Sequence, residues 1–433
     1  VLFPEAVILR DPVHGLVSFE SSEASIVPRL LQTREVQRLR RIRQLGLTSL
    51  AYPGAEHTRF AHSIGAAHVM QLLLARLRQI DGELPFWQRV TSERAQVALA
   101  AALLHDIGHG PFSHLFEEAF PEALPHETWT ERMLLDPSSE VHRALVERDP
   151  QLPRRVAELV RGESDLPYLA KAVSGSFDVD RCDYLLRDAH ATGVRYGEFD
   201  LPWLLRALRF SPESASGAAP SLAIDGTKGL SAIESFVLAR TFMFQQVYFH
   251  KSTRAGEFMV GRVFRRALSA LEEGIRLVLV PRALEAVAAG RNPSLDDYLE
   301  LDDNTVLTAF HAWEECRDPT LADLAGRLRR RDLFKTIEIE DDGGPSPEEA
   351  LRRAREVALE AKLDPDLYVG LDVAEDTPYA DDDSLIVVLS RDRAKRPSEC
   401  SFLLERLKDA RLRRSRLVLA PELRERVREA LAS

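Results

Sequence analysis

The chain has 433 residues, 45% of them hydrophobic, a globular composition and more length than one compact core ordinarily takes, so two or more lobes are expected. No apolar run approaches the roughly 20 residues that cross a bilayer, and the opening VLFPEAVILRDPVHG has no basic segment ahead of a long apolar one; a cytoplasmic protein without a membrane partner is expected. A net charge of −11 argues against a generally basic, nucleic-acid-coating surface, although Arg38-Leu39-Arg40-Arg41 and Arg329-Arg330-Arg331 leave room for a local basic groove. The cysteines, Cys182, Cys316 and Cys400, are far apart, lack metal-site spacing and read as structural thiols of a reducing compartment.

In chain order, ILRDPVHGLVSFE alternates β-formers around a Pro/Gly turn and predicts a short hairpin. From Thr33 apolar residues recur at helical spacing, which predicts helices from Arg34 to Gln44, Ser63 to Gln79, Ser92 to Leu104, Val179 to Ala189 and Leu230 to Leu271. Phe210 to Gly229, with SPESASGAAPS inside it, reads as a loop or small hairpin between helices. Past Arg331 come short β-rich runs, FKTIEIE, LYVGLDV and SLIVVLS, and then a last amphipathic helix from Pro421 to Leu431. The expected fold is mainly α, with the short N-terminal hairpin, a helical domain over residues 1–330 and a smaller C-terminal α+β lobe over residues 331–433.

Three segments carry chemistry. In the first, His105, Asp106, His109 and His114 directly follow the apolar run VALAAALL. Titratable groups at the end of a buried helix cost several kcal/mol unless paired or metal-bound, and imidazole with carboxylate suits divalent iron, manganese, zinc or magnesium. A lone His-Asp pair most often means only a helix-end hydrogen bond, so the other two segments decide. In the second, His62 shares a helix face with Ala66, Val69, Met70 and Leu73 and points inward, while Arg59 adds a cation to the same side, the pattern of an anion beside a metal. In the third, Asp180, Asp183, Tyr184, Arg187 and Asp188 fall on one face of a helix. Three carboxylates cannot all be desolvated there without cations, and Tyr184 among them offers a surface for a base or sugar.

In this order the segments resemble the HD-domain phosphohydrolases, whose ligands follow the pattern H…HD…D. The similarity sharpens at His57-Thr58-Arg59-Phe60-Ala61-His62-Ser63, at HDIGHGPFSH with the later His126-Glu127, and at DVDRCDYLLRD. Asp11-Pro12-Val13-His14-Gly15, Val36-Gln37-Arg38-Leu39-Arg40, Tyr248-Phe249-His250-Lys251 and Arg331-Asp332-Leu333-Phe334-Lys335 add to it. These resemble the deoxynucleoside triphosphate (dNTP) triphosphohydrolases, in particular those with a SAM domain beside the HD domain; no SAM domain is expected here.

The resemblance implies an HD core over about residues 50–190 with His62, His105, Asp106 and Asp180 ligating a divalent metal, Mn²⁺, Mg²⁺, Fe²⁺ or Zn²⁺. It implies phosphate contacts from Arg59, Arg240 and Arg181, the last in place of a lysine, and catalytic roles for His109, His114 and His126, with Glu117 as an acidic partner. Tyr184 would pack on the nucleotide, Asp188 and Gln44 would hold a 3′-hydroxyl, and Tyr248 would crowd the 2′ position. The implied reaction is attack of water on the α-phosphorus, releasing triphosphate and a deoxynucleoside, with His114 the first candidate for the leaving-group acid and His126 the second. It also implies a homo-oligomer, by analogy a tetramer, with a nucleotide activator at subunit contacts. There Arg40 matches, whereas Gln32 and Val7 replace the aspartate and lysine that take a guanine nucleotide, and Phe244 replaces a histidine at the substrate; a different activator or constitutive activity stays open. Two other readings also stay open: an HD phosphohydrolase for another nucleotide, monophosphate, cyclic or modified, and a non-enzymatic nucleotide sensor or nucleic-acid-binding protein that uses the same pocket, with single-stranded nucleic acid as the partner in the latter case.

Overall fold

The computed structural model describes residues 6–112, 124–211, 219–339, 344–381, 385–388 and 393–432. The opening Pro/Gly turn joins β1 (Val7–Asp11) to β2 (Gly15–Phe19), antiparallel with Asp11 opposite Gly15. Asp11 closes the turn by accepting from the Val13 and His14 amides, both at 2.9 Å, and Gly15 takes the left-handed φ of 74° that completes it.

Next come α1 (Arg34–Arg38), α2 (Arg59–Ile80) and α3 (Ser92–Leu104). The sequence predicts the first helix to Gln44, but it tightens into a 3₁₀ turn at Leu39–Arg41 and Ile42 is extended. The reason is competition for backbone hydrogen bonds: the Ile42 carbonyl accepts from Arg59 at 2.9 Å, Arg43 bridges Thr58, and Gln44 donates to His57 at 3.0 Å. Those bonds draw the His57-Thr58-Arg59 segment against residues 42–44, and α2 starts at Arg59 rather than Ser63. In α3 the Thr91 side chain caps the Arg94 amide, and every residue from Ala95 to Leu104 is buried.

The helices α4 (His126–Leu135) and α5 (Val179–Thr192) follow; α5 is capped by the Asp178 side chain at its start and by Gly193, at φ 75°, at its end. α2 packs against α3 on one side and α5 on the other, which brings the three chemistry-bearing segments together. The long helix expected from Leu230 is divided into α6 (Leu230–Met243), a π turn at Phe244–Tyr248, and α7 (Lys251–Glu272). Phe249 leaves helical geometry, and His250 restarts the chain by accepting from the Ser252 amide with its ring. α8 (Asp303–Trp313) opens on a capping box between Asp302 and Thr305.

The segment after Phe210 is a small hairpin, β3 (Leu208–Phe210) with β4 (Leu222–Asp225). Beyond α8 lie β5 (Lys335–Glu338), β6 (Val369–Asp376), β7 (Ile386–Val388), β8 (Ala394–Lys395) and β9 (Leu412–Leu419). Among the described residues they form two sheets: β5-β9-β6, antiparallel, and β3-β4-β7-β8, in which β7 pairs in parallel with β4. The last helix is Arg424–Ala432, preceded by a 3₁₀ turn at Pro421–Leu423. Among the described residues no helix is long and apolar enough to cross a membrane.

The loop after α3 is tied down from distant parts of the chain. Arg38, buried, donates to the Leu301 carbonyl at 2.9 Å and the His109 carbonyl at 2.8 Å, and the Tyr298 hydroxyl donates to the Gly108 carbonyl at 2.7 Å. Asp303 accepts from the amides of Phe112 at 2.8 Å and Arg43 at 2.9 Å. Replacing Arg38 with Met would leave buried carbonyls without donors and should cost about 3 kcal/mol, read as a lower urea midpoint at unchanged slope.

Candidate metal centre

His105 and Asp106 leave the end of α3, His62 sits one turn into α2, and Asp180 lies in the first turn of α5. The ligand atoms of His62, His105 and Asp106 lie within 4.8 Å of one another. Asp180 Oδ1 is 3.0 Å from His62 Nε2 and 3.5 Å from His105 Nε2, so all four sequence candidates converge.

The donor set fits a cation. His105 Nδ1 lies 3.0 Å from the Ala102 carbonyl, which can only accept, so that nitrogen carries the hydrogen. His62 Nδ1 lies 2.8 Å from Asp183 Oδ2 and donates likewise. The two Nε2 atoms face one another at 3.4 Å, with the carboxylates of Asp106 and Asp180 beside them. A proton held against those carboxylates balances their charge in the absence of metal, and a shared divalent ion would take its place. Burial opposes charge on His62, yet hydrogen bonds to Asp180 and Asp183 push its pKa up to about 10. His105 is raised as well, against burial, by Asp106 and Asp180, and both aspartates are held below the usual carboxylate range by the histidines, with Arg59 adding to the effect on Asp106.

Arg59, buried, pairs with Asp106 Oδ2. His109 Nε2 lies 3.3 Å from Asp106 Oδ1, and burial together with Arg59 keeps its pKa well below the ordinary imidazole value, so the ring is neutral. His126, from the start of α4, stacks on it with ring centroids 3.8 Å apart. His114 and Glu117 lie outside the described residues.

A cavity of about 560 Å³ adjoins the cluster, and five of the seven predicted substrate residues line it: Gln44, Arg59, Tyr184, Asp188 and Tyr248. Asp188 accepts from His57 Nε2 at 2.7 Å and from the Tyr248 hydroxyl at 2.8 Å. Phe244 lines the same cavity, its ring edge-on to Tyr248 at 5.0 Å. The other two, Arg181 and Arg240, turn elsewhere. Arg181 donates to the Gly175 carbonyl at 2.7 Å and pairs with Asp178; Arg240 donates to the Pro378 carbonyl at 3.0 Å and lies 3.4 Å from Asp376. Arg40 stacks on Phe60 at 3.6 Å and donates to Gln37.

Several residues that matter here were not predicted to belong to the site. Asp183 anchors His62 and is itself held by His14 at 2.7 Å and by Arg187 at 2.8 Å, which also binds Asp11. Gly65 makes room for this group: a Cβ there would lie 1.9 Å from Asp183 Oδ1. Gly108 similarly lets α4 approach, since a Cβ would lie 2.1 Å from the His126 carbonyl. The i, i+4 spacing of Asp183 and Arg187 was a readable signal, and His14 and His57 stood in quoted motifs; the close approach at the glycines had none.

A divalent-metal centre of histidines and aspartates at the ends of packed helices, beside an arginine and a large cavity, defines a metal-dependent phosphohydrolase of the HD superfamily. The chain belongs to the HD-domain family: the HD domain matches residues 59–188 and the HD associated region matches residues 199–433. It is 36% identical over 381 residues, 87% of its length and 81% of the relative's, to the uncharacterized protein YwfO of Bacillus subtilis. It is 27% identical over 367 residues to the human deoxynucleoside triphosphate triphosphohydrolase SAMHD1, covering 76% of this chain but only 54% of that protein. The crystal structure of a phosphohydrolase from Bacteroides thetaiotaomicron matches 96% of this chain and 100% of its own with a TM-score of 0.82 and 28% identity.

Two variants test the centre. Asp180→Ala should abolish tight binding of a divalent metal in titration calorimetry while the metal-free protein melts as before. Gly65→Ala should destabilise by about 2 kcal/mol or more in denaturant unfolding and weaken metal binding, because Asp183 must move and His62 with it.

Proposed function

We propose that the protein hydrolyses dNTPs to deoxynucleoside and triphosphate with Mn²⁺ or Mg²⁺. The observation that carries this is that one cavity beside the cluster is lined both by Arg59, a cation paired with Asp106, and by Asp188, which is clamped by His57 and Tyr248 as a fixed acceptor for a sugar hydroxyl. The similarity to SAMHD1 supports the same substrate class.

His62, His105, Asp106 and Asp180 would hold the ion, which would supply Lewis acidity to a phosphate oxygen and lower the pKa of water to about 7. Arg59 neutralises charge on the α-phosphate and is itself aimed by Asp106. Water attacks the α-phosphorus, and the leaving 5′-oxygen needs a proton. His109, being neutral, supports the His126 ring stacked upon it rather than delivering that proton. The acid is His114 or His126. Tyr184 and Tyr248 flank the sugar, and Tyr248 excludes a 2′-hydroxyl by bulk. The protein acts as a homo-oligomer, either constitutively or under a nucleotide activator at subunit contacts other than the guanine nucleotide that Gln32 and Val7 do not suit.

The decisive measurement is product analysis with the four dNTPs, singly and mixed. Triphosphate and deoxynucleoside are expected; pyrophosphate or monophosphate throughout would refute the proposed cleavage, and turnover of only monophosphates or cyclic nucleotides would favour another HD reaction. Single-strand binding that survives loss of the metal ligands would favour a nucleic-acid sensor. Of His114→Gln and His126→Gln, the variant lacking the acid should lose about 10²- to 10⁴-fold in kcat. Mass measurement with and without nucleotides tests assembly.

A further inference from the structure

β6 belongs to the sheet β5-β9-β6 as an outer strand, and its residues Val373, Ala374 and Glu375 form part of the cavity wall. The next residue, Asp376, ends the strand with its carboxylate oxygens 3.5 and 3.4 Å from Arg240 Nη2, while the Pro378 carbonyl accepts from Arg240 Nη1 at 3.0 Å. Asp376 also lies within the field of Arg181, which is otherwise held by Asp178 and the Gly175 carbonyl. The two arginines assigned above to substrate phosphates are thus held by groups of the chain itself.

The contact with Arg240 is loose. Its separations exceed those of a tight bidentate arginine–carboxylate fork, and both side chains keep some exposure, 14% for Arg240 and 22% for Asp376. Burial raises the pKa of Asp376 in spite of the two arginines, so the carboxylate is imperfectly compensated where it stands. A more highly charged anion on the same guanidinium would form shorter, charge-assisted bonds and meet little resistance from the native pair.

We propose that Asp376 is an internal anion that holds Arg240 in reserve and is displaced by the phosphate chain of the substrate. The proposal rests on the reading of Arg240 as a phosphate ligand. It makes Asp376 a specificity-determining residue: a triphosphate carries enough charge and reach to take Arg240 from the carboxylate, and a single phosphate held near Arg59 does not. Asp376 then sets how strongly the protein favours triphosphates over less charged nucleotides without touching the reacting atoms.

The test is the affinity of the full-length protein for inorganic triphosphate and for orthophosphate, measured by calorimetry in the wild type, Asp376→Asn, Arg240→Gln and the double variant, each checked for an unchanged melting profile. Asp376→Asn should tighten triphosphate binding about fivefold, the scale of a partly exposed ion pair, and leave orthophosphate unchanged. Asp376→Ala should act in the same direction, and the effect should vanish in the Arg240→Gln background. If Arg240→Gln weakens triphosphate binding but Asp376→Asn weakens it too or leaves it unchanged, Asp376 only orients the arginine and the proposal falls. If Arg240→Gln itself leaves triphosphate binding unaltered, the phosphate role of Arg240 falls, and the proposal with it.

Discussion

Asp183 is fully buried and accepts from His14 Nε2, from His62 Nδ1 and twice from Arg187, at 2.7 to 2.8 Å. An ionised carboxylate in the interior is tolerated only when its lone pairs are filled, and here the donors come from the N-terminal hairpin, from α2 and from its own helix. Filling them fixes the tautomer and the direction of the His62 ring, so the nitrogen aimed at the metal has no freedom to turn. Arg187 reaches on to Asp11, the residue that closes the hairpin turn, which makes that turn part of the same buried network.

The acidic face of α5 shows how one helix distributes like charges. Asp178 caps the helix and, being buried near Asp180, has its pKa raised to about 7. Each carboxylate has a different counterpart: Asp180 a pair of histidines, Asp183 an arginine, and Asp188 an imidazole together with a phenol hydroxyl. Tyr184 stands between these environments and lines the cavity, where burial raises its pKa above the ordinary phenol range.

Much of this was legible because it depends on helical periodicity and on residue types that are costly to bury. His62, with Ala66, Val69, Met70 and Leu73 on its face, had to point inward, and the apolar run before His105 had to be a buried helix; both are so. The hairpin and the β-rich C-terminal region were readable from alternation and turn residues. Two helix ends were not. Residues 42–44 have helical spacing but spend their backbone bonds on residues 57–59, and the break at Phe249-His250 contains neither Gly nor Pro. The parallel pairing of β4 with β7 likewise joins segments more than 150 residues apart, which no local pattern encodes. The directions of Arg181 and Arg240 depend on neighbours from other segments, and residue type alone could not give them.

The π turn at Phe244–Tyr248 makes chain spacing a constraint in its own right. A π turn holds one more residue than an α turn, and each residue of a helix advances the side-chain direction by about 100°. The hydroxyl of Tyr248 therefore reaches Asp188 because of the number of residues that separate it from Arg240, more than because of what those residues are. Gln245 and Gln246, both exposed, serve as spacers whose side chains are free to vary, whereas loss or gain of one residue there would swing Tyr248 away from the cavity.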